Sequence, residues 1–225
     1  MDSTLPLLTV ETVLFPGLVV PVPVNDVQNR AVVRDLQAAS GASADAEMVC
    51  GALAIRDGYE LGDRVFRSLH GIGCTALVSD VTGGDEGPME ITLTGNRRFR
   101  VVELDGDGDY LVAQVEWLPE SAGSDPLGAA SVALDRFRRY AAAVTEISLP
   151  GLHIGTLPDD PTTLSYLMSA AMVLLKPDRQ KLLEVLDTTS RLAELVGLID
   201  TELSAMAAVP SLPATDISWS DLAPN

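Results

Sequence analysis

The chain has 225 residues, 47% hydrophobic and 21% charged, so it reads as globular. A chain of that length hides roughly 70% of its unfolded surface on folding. Fifteen basic residues face 32 acidic ones, a formal charge of −17. That excess argues against nucleic acid, whose phosphates need clustered Lys and Arg, and against an anionic membrane surface.

No apolar run approaches the ~18 residues of a membrane span. The most apolar stretch, 5–24, is interrupted by Glu11, Pro6, Pro16, Pro21 and Pro23. The start, Met1-Asp2-Ser3-Thr4, lacks the basic region of a secretory signal. Cys50 and Cys74 form no CxxC pair, and two buried free thiols in a cytoplasmic protein are expected.

In chain order, Leu5–Val10 and Leu18–Val24 read as strands around a turn at Phe15-Pro16-Gly17. Pro21 and Pro23 fall two apart, so both turn their missing N–H to one side, which suits an edge strand or a bulge and not a central strand. Val27–Ala39 reads as a short helix with Val27, Ala31, Val32 and Leu36 on its buried face. Gly41–Ala46 reads as a loop. Strands follow at Met48–Arg56, Ile72–Val81, Met89–Leu93, Phe99–Leu104 and Tyr110–Leu118. Turn residues separate them at Gly83-Gly84-Asp85, Gly95-Asn96 and Asp105-Gly106-Asp107-Gly108. Many short strands with such turns predict a closed or partly closed antiparallel sheet.

Near residue 120 the pattern changes to apolar residues three and four apart. Ser124-Asp125-Pro126 starts a helix whose stripe is Leu127, Ala130, Leu134, Phe137, Ala141 and Val144. Arg136, Arg138 and Arg139 lie off that stripe. After a loop at 149–157, Asp160-Pro161 starts a helix carrying Leu164, Leu167, Met168, Ala171 and Leu175, broken by Lys176-Pro177. A short helix follows through Leu186. Asp187 caps the last helix, with Leu192, Leu195, Val196, Ile199, Leu203 and Met206 as its stripe. The expected fold class is α+β. Its parts are a β-rich domain at 1–120, a helical bundle at 121–209 and a flexible tail at 210–225.

Few residues invite catalysis. Asp105, Asp107, Asp109 and Glu116 fall at calcium-loop positions, but Tyr110 stands where that loop needs glycine and strands flank it, so an acidic hairpin loop is expected. His70 and His153 sit in no metal motif, and no serine lies in a GxSxG elbow. Lys176 and Lys181 lack the apolar setting that would activate a lysine. No catalytic residue, cofactor or metal is therefore assigned. Arg97, Arg98 and Arg100 make the densest basic patch of the β half. They read either as a contact for an anion or acidic peptide or as ion pairs with nearby acids. Leu14, Phe15 and Leu18 form an apolar cluster that is core or, if exposed, a sticky patch for extended chains.

These motifs resemble a known family. Leu5-Pro6-Leu7-Leu8, then Val13-Leu14-Phe15-Pro16-Gly17 and Val20-Pro21-Val22-Pro23-Val24, resembles the opening of the Lon protease N-terminal domain. Gly95-Asn96-Arg97-Arg98-Phe99-Arg100-Val101 is similar to its Gly-x-x-Arg-x-Arg strand, and the strand at 110–120 and the helices to about 207 follow in the same order. The stretch Asn25–Arg30 departs from it, lacking a Phe-Glu-Pro segment.

The resemblance implies a PUA-like β pseudo-barrel followed by a helical bundle. It implies substrate recognition in proteolysis, without the ATPase and peptidase modules that follow this region in full Lon proteases. The expected function is a non-catalytic module that holds unfolded or extended polypeptide near Leu14, Phe15, Leu18, Arg98 and Arg100, by apolar contact or by adding a strand to an open sheet edge. A separate protease or ATPase is the expected co-worker, and the long helix leaves room for pairing with a second copy. The competing readings are a hydrolase using His70, His153 or a nearby serine, and an RNA-binding PUA-like module.

Overall fold

In the computed structural model, the described residues are 3–42, 47–56, 69–84, 87–148 and 157–208. Residues 149–156, where a loop with His153 is expected, residues 210–225, where a tail is expected, and residues 43–46 lie outside them.

Among the described residues, six strands come first with one helix between the second and third: β1 (Ser3–Val10), β2 (Val19–Pro23), α1 (Val27–Ala42), β3 (Val49–Ala54), β4 (Ile72–Gly83), β5 (Met89–Asp105) and β6 (Val112–Trp117). Four described helices follow: α2 (Pro126–Ser148), α3 (Pro161–Ala171), α4 (Lys176–Glu184) and α5 (Thr188–Ala208).

The two expected strands at 89–93 and 99–104 are one, the 17-residue β5, and Gly95-Asn96 is no turn. Its length lets it pair more than once. The first half bonds to β2, the second half to β6, and β4 runs alongside both. Bulges in the β4–β5 ladder between Cys74 and Ala76 and between Val78 and Asp80 absorb the bend. With β4–β3, β3–β1 and β1–β6 also paired, the ladder returns to β5. The sheet is mixed, because β1 and β3 run parallel and are linked by a crossover through β2 and α1.

Alternation along the strands sends one set of side chains to a cluster with Leu7, Leu53, Phe99 and Val115 and another to a cluster with Leu8, Cys50, Cys74 and Leu93. Helix α1 closes the second cluster. Its buried face is turned from the expected one: Val27 is 81% exposed, while Asn29, Val32 and Val33 are buried. At Thr9, β1 pairs with β3 on one side only, and Asn29 faces its other side. Its Oδ1 accepts from Thr9 N at 2.9 Å and its Nδ2 donates to Thr9 O at 2.8 Å, so a side-chain amide completes the ladder.

The helices pack through a third cluster containing Ala133, Phe137, Leu164, Met168, Leu192, Leu195 and Ile199. The helix starts read at Asp125 and Asp160 and the cap read at Asp187 all carry capping bonds. Asp125 Oδ1 accepts from Gly128 N, Asp160 Oδ2 from Thr163 N and Asp187 Oδ1 from Ser190 N. These helix N-terminal bonds hold the Asp160 and Asp187 carboxyls below their usual range. Leu127, expected on the α2 stripe, is exposed, and Ala133 and Tyr140 are buried in addition. Helix α3 stops at Ala171, so Leu175 is not on it; Lys176-Pro177 opens α4.

Candidate functional site: the seam between sheet and helices

The Phe15-Pro16-Gly17 turn is built for one place. Leu18 N donates to Phe15 O, Pro16 supplies the fixed φ, and Gly17 has φ +77°, a left-handed conformation glycine adopts without strain. The turn bonds to β5 by Gly17 N to Gly95 O at 2.8 Å and Gly95 N to Leu18 O at 2.9 Å. A Cβ on Gly95 would collide with Phe15 O, which gives the glycine of the Gly95-x-x-Arg98 motif its reason.

The apolar residues of this turn divide between the cores. Leu14 enters the sheet cluster, and Phe15, 0% exposed, enters the helical cluster 6.1 Å from the Tyr166 ring. Neither presents a surface to a passing chain. Burying a ring like that of Phe15 contributes about 2 kcal/mol, so the turn acts as a rivet between the halves. Leu18 is half-buried against both clusters.

Arg98 is likewise internal, 1% exposed, because the strand face it shares with Arg100 is covered by α4 and α5 at that point. Its Nε donates to Glu120 Oε1 at 2.7 Å, and its Nη1 donates to Leu183 O at 2.8 Å and Val185 O at 2.6 Å. Arg191, fully buried, approaches from α5, donating to Leu182 O, Ser165 Oγ and Val185 O. Two guanidiniums thus satisfy the last carbonyls of α4, the negative end of its dipole, and share the carboxylate of Glu120. Burial pushes the Arg191 pKa down, opposed by Tyr166 and Glu120. Tyr166 completes the cluster, with its hydroxyl donating to Glu120 Oε1 at 2.7 Å and the Arg191 guanidinium 4.0 Å from its ring centre. Burial pushes its phenol pKa well up.

Arg100 lies beyond the helical cover and pairs with Glu116 at 3.0 Å; Arg97 stacks 4.8 Å over Trp117. That register carries Glu116 away from the Asp105–Asp109 loop, where Asp107 N donates to Asp105 Oδ1 in a local turn. Among the described residues, no group of three His, Cys, Asp or Glu could hold a metal. His70 Nδ1 lies 4.0 Å from Glu184 Oε1. Lys176 pairs with Glu11 and Lys181 with Glu194. Cys50 and Cys74 are free and buried, and desolvation pushes both thiols up to about 12.

At the surface of the seam lies a pocket of about 80 Å³ lined by Pro16, Gly17, Leu18, Thr163, Tyr166 and Leu167. Leu167 is 40% exposed at its rim. Sequence reasoning found Leu18 but missed Tyr166 and Leu167: Leu167 falls on the stripe of an ordinary core, and Tyr166 falls off it. β2 is the open edge of the sheet. The bonds from Gly95 N to Leu18 O and from Val24 N to Met89 O put the even-numbered positions toward β5. Val19, Pro21 and Pro23 therefore face outward, and two of those three have no N–H to offer an added strand.

A family model described as the ATP-dependent protease La (LON) substrate-binding domain matches residues 4–201. A Lon protease from Paraburkholderia phytofirmans is 30% identical over 215 residues, covering 88% of this chain and 24% of the relative. One from Escherichia coli is 24% identical over 198 residues, covering 87% of this chain and 24% of the relative. The chain thus spans about a quarter of the length of these relatives.

Among solved structures, the N-terminal domain of a Mycobacterium avium complex Lon protease aligns with TM-score 0.60 and 24% identity, over 88% of this chain and 98% of that one. A Lon N-terminal domain protein from Xanthomonas campestris aligns with TM-score 0.58 and 21% identity, over 87% and 98%. These likenesses show a shared fold. No helix among the described residues is long and apolar enough to cross a membrane. With the model matching nearly its whole length, the chain belongs to the Lon substrate-binding domain family.

Proposed function

We propose that the chain recognises extended or unfolded polypeptide and breaks no bond itself, serving a separate protease or ATPase in a cytoplasmic setting. One observation carries this reading: a chain of the substrate-binding family has an apolar pocket at the seam, between the Pro16–Leu18 turn and α3. Apolar side chains of a substrate would enter beside Leu18 and Leu167. Leu14, Phe15 and Arg98 would act from beneath by fixing the turn and the helices, while Arg100, paired with Glu116 and outside the pocket lining, would take no part in the contact. Insertion of side chains is favoured over strand addition, because Pro21 and Pro23 blunt the open edge.

The ring of strand pairings supports describing the β half as a PUA-like pseudo-barrel and the remainder as a helical bundle, with a boundary near residue 120. The RNA reading draws no support from Arg97, Arg98 and Arg100, all engaged within the protein. For the hydrolase reading, His70 has the Glu184 carboxylate 4.0 Å from its Nδ1, a pairing that by itself supplies no nucleophile.

The test is binding of fluorescein-labelled, reduced and alkylated lactalbumin, followed by anisotropy. Saturable binding at or below ~100 µM, the weak range of a transient contact, is expected. Leu167→Asp should weaken it. Absence of binding at that concentration would overturn the proposal.

A further inference from the structure

The pocket wall is held by a residue that does not line it. Tyr166 lines the pocket, and its hydroxyl donates to Glu120 Oε1. The same oxygen accepts from Arg98 Nε, and Glu120 Oε2 lies 3.6 Å from Arg191 Nη2. Glu120 itself belongs to no helix or strand, being in the connection between β6 and α2. Its backbone neighbourhood is clamped instead: Thr188 N donates to Ser121 O at 2.8 Å and Thr189 N to Ala122 O at 3.2 Å. The carboxylate is therefore a fixed acceptor, reached by one strand and two helices, and the Tyr166 ring hangs from it.

We propose that Glu120 is a positioning residue for the pocket, setting the orientation of the Tyr166 ring and linking the pocket's shape to Arg98 of β5. The claim rests on the polypeptide-binding reading for its effect on affinity, but the positioning itself is a property of the free protein. Charge-assisted bonds hold the carboxylate in place, and an amide there would turn a donor toward Arg191. Ring and carboxylate therefore act on the pocket as one unit.

A double-mutant cycle on the full chain tests the link. Glu120→Gln and Tyr166→Phe should each weaken lactalbumin binding roughly fivefold, the scale of one hydrogen bond, and the double variant should bind no worse than the weaker single. Tyr166→Phe leaves the carboxylate to both arginines, so it separates pocket geometry from the stability of the seam. Effects that multiply, or singles that bind like the parent, would overturn the proposal.

A second readout needs no ligand. The protein has four tyrosines, so 3-fluorotyrosine labelling gives four fluorine resonances, with Tyr166→Phe assigning one. In Glu120→Gln that resonance should move and broaden. An unchanged resonance refutes positioning. A resonance that responds in a protein that binds no polypeptide refutes the functional reading and leaves the positioning standing.

Discussion

The interior of the sheet and the seam between sheet and helices are built on different physics. The sheet interior is apolar: Leu7, Leu53, Phe99, Cys50, Cys74 and Leu93 fill it, and its two thiols are pushed to about 12 by desolvation. The seam also buries Phe15, but its directional elements are two arginines, one carboxylate, one phenol and the carbonyl end of a helix. Area alone orients nothing, because hydrophobic attraction is non-directional. The seam fixes how the helices sit on the sheet through bonds that exist at one geometry only. It should therefore be less tolerant of substitution than its small size implies.

Removing Arg98 should break that contrast most severely. Arg98→Ala takes the side-chain donor from Leu183 O, removes one of two from Val185 O and one partner from Glu120, and empties a fully buried side chain, a loss of about 2–4 kcal/mol. Urea unfolding should show it, and Arg98→Lys should recover little, since an ammonium cannot reproduce the fork. If Arg98→Ala cost no more than a surface change, the seam would not depend on its charges.

The sheet interior is probed next. Gly73→Ala places a Cβ against Ala52 O and 2.9 Å from Phe99 Cζ, so backbone must shift, at about 1–3 kcal/mol. A variant with an unchanged midpoint would mean that the interior is looser than its packing shows.

The thiols give a pH test. Their folded pKa of about 12 lies above the reference 9.0, so the folded state keeps protons that the unfolded state releases. Stability is unaffected below pH 9 and falls between 9 and 12, by about 1.4 kcal/mol per thiol per pH unit at most. Replacing both cysteines with alanine should flatten the urea midpoint across that window. A midpoint that falls equally in both proteins would assign the loss to other groups.

Arg100→Ala should have the smallest effect, within about 1 kcal/mol, because its pair with Glu116 is exposed. A larger loss would extend the seam outward beyond its helical cover.

Arg98 and Arg100 show where sequence reading ends. Their spacing puts them on one strand face, and nothing in that spacing says that α4 and α5, some 85 residues on, cover one and leave the other in water. Leu14 and Phe15 pose the same problem. Adjacent apolar residues by a turn read as one patch, yet they enter two different cores. Glu120 carried no signal in the sequence, since a lone acid in a linker is ordinary until two arginines converge on it.

The sequence by itself determined what local physics controls: most strand and helix limits, the helix starts at Asp125 and Asp160, the Asp187 cap, the turn at Phe15-Pro16-Gly17, the exclusion of a central position for the strand with Pro21 and Pro23, and the family. Tertiary structure decided the fusion of two predicted strands into β5, the parallel β1–β3 pair, the inward face of α1 and the burial of Arg98. Each of these depends on partners distant in the chain, and periodicity records how a segment alternates without recording what will come to lie against it.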